Sequence, residues 1–338
     1  MKTFSTTIPL ALITGGSSGM GLEYARQLAD KGFNLLLVSN REEELACAKK
    51  ELEERIGDDA HVLAEGTKLT GDDALVLDEK TELTGDDAHV LAEGTNDNKG
   101  EHLREQPPVT EKIRTEVDTH GSNGPRVRTR FQDLALPHAA DELFAWCQAE
   151  NLIPDLLINN AGIFFFKELA PDDLPRAETL LNLHIQTVTR LCILFGNAMK
   201  GRGSGHILNV SSMAARLPYP GITLYSASKA YLLSFGKSYY HELRPYGVSL
   251  TTVCPAAIAT PLYNLNEKWM RRGVAIGLIH TTKWLVRRAL RATFRGRRIV
   301  SPSLMNLYLP PLLGILPKSC INLIWRKIIH KKESPWTK

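Results

Sequence analysis

LALITGGSSGMGLEYARQLADKGFNLLLVS, residues 10–39, contains an apolar run, a glycine-rich break, an amphipathic segment and a second apolar run. Leu10–Thr14 is short and aliphatic, as a strand buried on both faces requires. The glycines then interrupt it, and the spacing predicts a helix over Gly21–Lys31 and a second strand over Asn34–Ser39. A tight strand-to-helix turn needs glycine for its backbone alone, so the loop by itself is weak evidence. Its position adds to it: Gly15-x-x-x-Gly19-x-Gly21 opens a helix, where backbone N–H groups and the positive helix end can approach a phosphate. The spacing differs from the commoner G-x-G-x-x-G. With the second strand following, the unit reads as the first β-α-β of a dinucleotide-binding fold.

Working outward, the alternation continues. A helix is expected over Glu42–Ile56, strands over Val127–Phe131 and Leu156–Asn159, and a helix over Ala139–Glu150 between them. A long helix from about Asp172 to Lys200 follows, then a strand at His206–Val210, a helix beginning near Tyr225, and a strand at Ser249–Cys254. Alternating strands and helices imply an α/β protein, a doubly wound parallel sheet covered on both faces. Ligands of such sheets sit at the carboxyl ends of the strands. The glycine loop, Asn160, Ser212 and Pro255 all follow strand ends, so they gather on one edge. Asp133, just past the third strand, is expected beside an adenine. The second strand ends Ser39-Asn40-Arg41, with no acid before Glu42. An acid there would bind the ribose hydroxyls of NAD, whereas a cation suits the 2′-phosphate of NADP, so NADP(H) is expected over NAD(H). Arg41 facing water at the start of a helix is the alternative.

The chemistry is concentrated in HILNVSSMAARLPYPGITLYSASK, residues 206–229. Ser212 precedes Tyr225 by thirteen residues and Lys229 follows it by four. Positions i and i+4 share a helix face, so the phenol and the ammonium converge. A free phenol titrates near ~10, and a fixed cation favours the phenolate; bringing it to about 7 takes on the order of 4 kcal/mol. Such a tyrosine is a usable acid/base at neutral pH. Ser212, at a strand end, can donate to a substrate oxygen as charge develops there. Tyr-x-x-x-Lys also arises by chance on amphipathic helices, so the context carries the weight. Asn182, midway along the long helix, reads from spacing alone as a solvated residue.

The 338 residues, 43% hydrophobic and 23% charged, are an ordinary globular composition. Five scattered cysteines without C-x-x-C point away from a disulfide framework or zinc site and toward a reducing, cytoplasmic setting. The apolar start runs into the glycine loop and reads as a first strand, not a signal peptide. No apolar run reaches the ~20 residues of a membrane span. The net charge of +4 conceals an acidic stretch over 41–118 and a basic end from Lys268 onward. That end suits an anionic partner, and no nucleic-acid motif accompanies it. GDDAHVLAEGTKLT, GDDALVLDEKTELT and GDDAHVLAEGTNDN (57–98) are three acidic copies with a period of fourteen. Their Asp pairs do not match a calcium loop, so no metal is expected. Residues 57–125 thus read as a low-complexity insertion in a Rossmann-like domain spanning 8–262, followed by a basic, apolar extension over 263–338. In that extension Leu304–Leu316 and Ile321–Trp325 precede Arg326, Lys327, Lys331 and Lys332. The pattern fits either a cap on the substrate cleft or a peripheral contact with an anionic membrane.

TGGSSGMG at 14–21, NNAG at 159–162, NVSS at 209–212, YSASK at 225–229 and the turn from Pro255 to Thr260 together resemble the short-chain dehydrogenase/reductase family. The resemblance implies cofactor contacts at Gly15, Ser17, Ser18, Gly19, Met20, Gly21, Asn40, Arg41, Asp133, Asn160, Tyr225, Lys229, Ile258 and Thr260. It implies Tyr225 as proton donor/acceptor, Ser212 orienting the carbonyl, and Lys229 holding the nicotinamide ribose while acidifying Tyr225. It also implies that Asn182 anchors a proton-relay water, and that the protein is a homo-oligomer. Two departures stand out: Ala256 replaces the usual glycine after Pro255, and Asn40 stands where many NADP-using members have arginine. The helix and tail are similar to the branch of long-chain 3-oxoacyl-CoA reductases, hydroxysteroid dehydrogenases and 3-ketosphinganine reductases. The expected function is an NADP(H)-dependent interconversion of ketone and secondary alcohol on an apolar, lipid-like substrate. A non-catalytic NADP-binding regulator on the same fold is the alternative.

Overall fold

The computed structural model describes residues 8–64 (58–64 as backbone only), 126–217, 219–256 and 280–303. The chain divides into two compact units, Met1–Val62 with Gly124–Lys338, and Leu63–Asn123. The second lies outside the described residues apart from the end of one helix.

The first unit is built on a seven-stranded parallel sheet: β1 (Leu10–Thr14), β2 (Asn34–Ser39), β3 (Val127–Phe131), β4 (Leu156–Asn159), β5 (Gly205–Val210), β6 (Val248–Val253) and β7 (Ile299–Val300). Their order is β3-β2-β1-β4-β5-β6-β7, so the winding reverses between β1 and β4. At that switch point the crossover helices part and leave a crevice at the carboxyl ends. In register, Ala11, Leu12 and Ile13 of β1 face Leu35, Leu36 and Leu37 of β2 on one side and Leu156, Leu157 and Ile158 of β4 on the other.

Successive strand residues point to opposite faces, and here both faces are buried. Ala11, Ile13, Leu35, Leu37, Leu156, Ile158 and Leu208 enter one core with α1 (Gly19–Ala29) and α2 (Glu42–Ala64). Leu12, Leu36, Val38, Leu157 and Ile207 enter the other with α3 (Ala139–Ala149), α5 (Val188–Arg202) and α6 (Thr223–Leu243). The aliphatic runs in the sequence therefore feed two cores at once.

Four expectations change. α1 begins at Gly19, within the glycine loop, so the loop's last turn is already helical. α2 continues past Ile56 to Ala64, into the first repeat copy. One glycine, Gly57, costs about 1 kcal/mol within a helix and does not stop it amid Ala, Val and Leu. The long helix is interrupted: α4 (Leu174–Leu181) opens into a π turn, Asn182–Thr187, before α5 resumes. The basic end supplies α7 (Thr282–Phe294), whose Leu285, Val286, Ala289 and Leu290 fill the α1 side of the sheet, and the edge strand β7. The remaining repeats, the turn holding Ile258 and Thr260, and the tail beyond Ser303 lie outside the described residues.

Candidate active site

The glycine loop is shaped by contact. Gly15 has φ 64° and donates its N–H to Val38 O at 2.7 Å, folding the chain back as β1 ends. A Cβ on Gly21 would lie 1.9 Å from Gly15 O, so only glycine lets α1 start this close to the strand it follows. Gly19, at φ 55°, has no atom beyond its chain neighbours and its own helix backbone within 4 Å of where a Cβ would stand. Ser18 occupies the N-cap with extended backbone and without a side-chain cap bond. The first-turn N–H groups of α1 thus border open space, the arrangement that holds a pyrophosphate.

The β4 end is fastened to this loop. Asn160 Nδ2 donates to Thr14 O and Gly15 O at 3.1 and 3.3 Å, and the N–H groups of Asn160 and Ala161 both donate to Thr14 Oγ1 at 3.0 Å. The amide expected beside a cofactor therefore knits the two strands of the switch point together.

A cavity of about 620 Å³ lies along this edge. Gly15, Ser17, Ser18, Gly19 and Met20 line it at one wall, Asn40, Arg41 and Asp133 at one end, Asn160 in the middle, and Ser212, Tyr225 and Lys229 at the other end. At the first end, Asp133 Oδ1 accepts the Ala135 N–H at 3.0 Å and so shapes the turn after β3. Arg41 is exposed, and its Nη1 is 2.6 Å from Glu44 Oε1. Glu44, unremarked in the sequence, also lines the cavity and accepts from Ser17 Oγ at 3.1 Å. The Arg41 guanidinium, aided by the Ser18 and Ser17 hydroxyls, holds its carboxyl below the usual range despite partial burial. Its place three residues after Arg41 was the available signal.

At the other end, β5 carries Ser212 to a 3₁₀ turn, where its Oγ accepts the Ala214 N–H at 3.1 Å. Ser211 Oγ donates to Lys229 O at 2.7 Å, joining the strand end to α6. Tyr225 and Lys229 lie one helical turn apart on the buried face of α6, at 7% and 5% exposure. Lys229 Nζ donates to Val210 O at 3.0 Å and lies 5.6 Å from the Tyr225 ring centroid. Burial lowers the Lys229 ammonium from 10.5 to about 8. Phe164 meets the Tyr225 ring edge-on at 5.0 Å.

Asn182 opens the π turn half-buried and does not line the cavity; His184, two positions on, does.

The described residues thus converge on a crevice for an extended dinucleotide, with a phenol, an ammonium and a hydroxyl at one end. The family model for short chain dehydrogenase matches residues 9–72 and 89–271. Probable oxidoreductase EphD of Mycobacterium bovis is 35% identical over 129 residues, 38% of this chain and 22% of that one. The 17-beta-hydroxysteroid dehydrogenase type 3 of Danio rerio is 26% identical over 257 residues, 75% of this chain and 61% of that one. The very-long-chain 3-oxoacyl-CoA reductase of Anas platyrhynchos is 24% identical over 261 residues, 76% of this chain and 62% of that one. This chain spans less than two thirds of the length of each of these relatives. Among solved structures, a short-chain dehydrogenase from Sphingobium yanoikuyae in complex with NADPH superposes with a TM-score of 0.61 at 21% identity, covering 92% of this chain and 98% of that one. The match runs through the glycine loop, the switch point and the Tyr225 helix alike, and with it the protein is identified as a member of the short-chain dehydrogenase family.

Proposed function

We propose that the protein interconverts a ketone and a secondary alcohol on an apolar, lipid-like substrate, using NADP(H) in preference to NAD(H). One observation carries the reading: Ser212, Tyr225 and Lys229 line the same cavity that the glycine loop opens at its far end. A nicotinamide dinucleotide, when bound, supplies or accepts the hydride. The Tyr225 phenol gives its proton to the carbonyl oxygen in reduction and withdraws it from the hydroxyl in oxidation. Ser212 Oγ donates a hydrogen bond to the same oxygen as negative charge develops there. The Lys229 ammonium stabilises the phenolate left behind, and because it is buried, little water screens that attraction. The same ammonium is placed to hold the nicotinamide ribose. The role of Asn182, anchoring a proton-relay water from the start of the π turn, rests on the resemblance alone.

The preference for NADP(H) rests on Arg41, at the cavity end where the adenine ribose belongs. Glu44 neutralises it in part, and a 2′-phosphate would draw the guanidinium away from that carboxylate. The apolar substrate rests on Phe164 against Tyr225 and on the names of two relatives, a hydroxysteroid dehydrogenase and a very-long-chain 3-oxoacyl-CoA reductase. Peripheral contact with an anionic membrane is part of the proposal. Its support is the sequence of the tail beyond Ser303, where apolar runs precede Arg326, Lys327, Lys331 and Lys332; α7 before it adds exposed Lys283, Arg287, Arg288 and Arg291, with no acid between Thr281 and Ser303. Homo-oligomerisation rests on the resemblance alone. The insertion remains proposed as a separate element of the chain, dispensable for turnover.

The test is a panel of steroid, long-chain 3-oxoacyl and small ketones, with NADPH oxidation followed by absorbance, on wild type and Tyr225→Phe. Phe keeps the ring but cannot exchange a proton, so cofactor binding should persist while nearly all turnover is lost. A variant keeping a tenth of wild-type kcat would overturn the acid/base role.

A further inference from the structure

The π turn between α4 and α5 brings a histidine into the wall of the cavity. Insertions of this kind locally widen a helix and recur at functional sites. His184 is 1% exposed, and its ring stands 5.9 Å from that of Tyr225 at 71°. Both ring nitrogens are engaged. Nε2 accepts the Ile163 N–H at 3.0 Å, and Nδ1 is 2.9 Å from Ser228 Oγ. A ring nitrogen that accepts carries no proton, so in the neutral ring Nδ1 is the donor to Ser228. The Ser228 hydroxyl is then free to donate to Tyr225 O, 2.8 Å away. The backbone N–H of Ile163 thereby fixes one tautomer. It also opposes protonation, since an imidazolium would set two N–H donors head to head. Burial, and then the Lys229 charge, push the His184 pKa well below its ordinary value in the same direction.

We propose that His184 is a positioning residue: a neutral strut of fixed tautomer that sets the segment after β4 against the Tyr225 turn of α6. This rests on the reading of Tyr225 as the acid/base. The strut connects two elements of the reaction centre, since Gly162 and Ile163 line the same cavity as Tyr225. It also accounts for Gly162, where a Cβ would stand 2.9 Å from Nε2. A ring tied at both nitrogens cannot swing aside for it, so the glycine and the histidine form a matched pair.

Three measurements test this on the full-length protein. In the first, 15N-labelled histidine is observed by long-range proton–nitrogen correlation. One histidine should show Nδ1 protonated and Nε2 bare, unchanged from about pH 8 to about pH 5.5, and its signal should vanish in His184→Gln. A His184 signal that titrates in this range, or carries its proton on Nε2, overturns the proposal whether or not any ketone is turned over. In the second, His184→Phe keeps the ring volume and removes both bonds. It should lower kcat by about tenfold to a hundredfold, the cost of a small misplacement, and leave NADPH affinity within about threefold. His184→Gln, which keeps an acceptor for Ile163, should recover part of the loss. Turnover of His184→Phe equal to wild type counts against the strut. In the third, Gly162→Ala should reduce kcat in the wild type yet cost no further activity in His184→Ala, where the obstructing ring is gone. Equal fold losses in the two backgrounds overturn the pairing. Absence of turnover in the wild type, with the expected histidine spectrum, would reject the catalytic reading alone.

Discussion

Lys229→Met should make the protein more stable and much less active. The Lys229 ammonium is buried, and its pKa falls from 10.5 to about 8. That difference, at about 1.4 kcal/mol per pH unit, puts the cost of burying the charge on the order of 3 kcal/mol near neutral pH. The sign follows from proton binding. Between about 8 and 10.5 the unfolded chain holds the proton more tightly than the fold does, so stability falls as pH falls through that window. Below about 8 the cost is fully present, and above 10.5 both states are neutral and it disappears. Methionine keeps the length and removes the charge. It also leaves Val210 O without its 3.0 Å partner, a loss of about 1 kcal/mol. The net gain near pH 7 is therefore about 2 kcal/mol. Activity moves the other way. At 5.6 Å from the Tyr225 ring centroid, the ammonium favours the phenolate by on the order of 3 kcal/mol at an effective dielectric of ~20. Turnover at neutral pH should accordingly fall by about a hundredfold. Urea unfolding at pH 7 and again near pH 10, beside NADPH-linked turnover, measures both effects. A stability gain that does not shrink toward high pH, or none at pH 7, would show that the buried charge is not what destabilises the fold; near-wild-type turnover would remove Lys229 from the mechanism.

Arg41→Asp should raise KM for NADPH far more than for NADH, because it places two carboxylates beside a 2′-phosphate; equal effects would mean that Arg41 only pairs with Glu44. Deleting residues 65–123 should leave kcat/KM within about threefold, since β3 enters the sheet beside Asn34 and Leu35, at the edge opposite the cavity. A large loss with the fold retained would tie the insertion to the site. Co-sedimentation with anionic vesicles should be salt-sensitive and fall on truncation after Pro302, each basic residue near the surface adding roughly 1 kcal/mol; full-length protein left in the supernatant at low salt would rule out the membrane contact.

The parallel fold and most of the cavity wall were legible in sequence because each depends on local spacing. Aliphatic runs of strand length, glycine immediately after β1, and a lysine one turn after a tyrosine constrain the backbone and its faces wherever the chain goes. A strand end, once located, also fixes an edge, which is why Gly15, Asn160, Ser212 and Pro255 could be gathered before any contact was known. Asn182 and His184 lie beyond that reach. Both are polar and both sit on one predicted helix, and only the π turn, together with the approach of Ile163 and Ser228 from other elements, decides that the histidine faces the cavity. Glu44 beside Ser17, the 5.6 Å from the Lys229 ammonium to the Tyr225 ring, and the burial of that ammonium are likewise set by packing between segments far apart in the chain. Spacing along one element determines which residues share a face; what that face meets is decided only when the sheet closes and its helices dock.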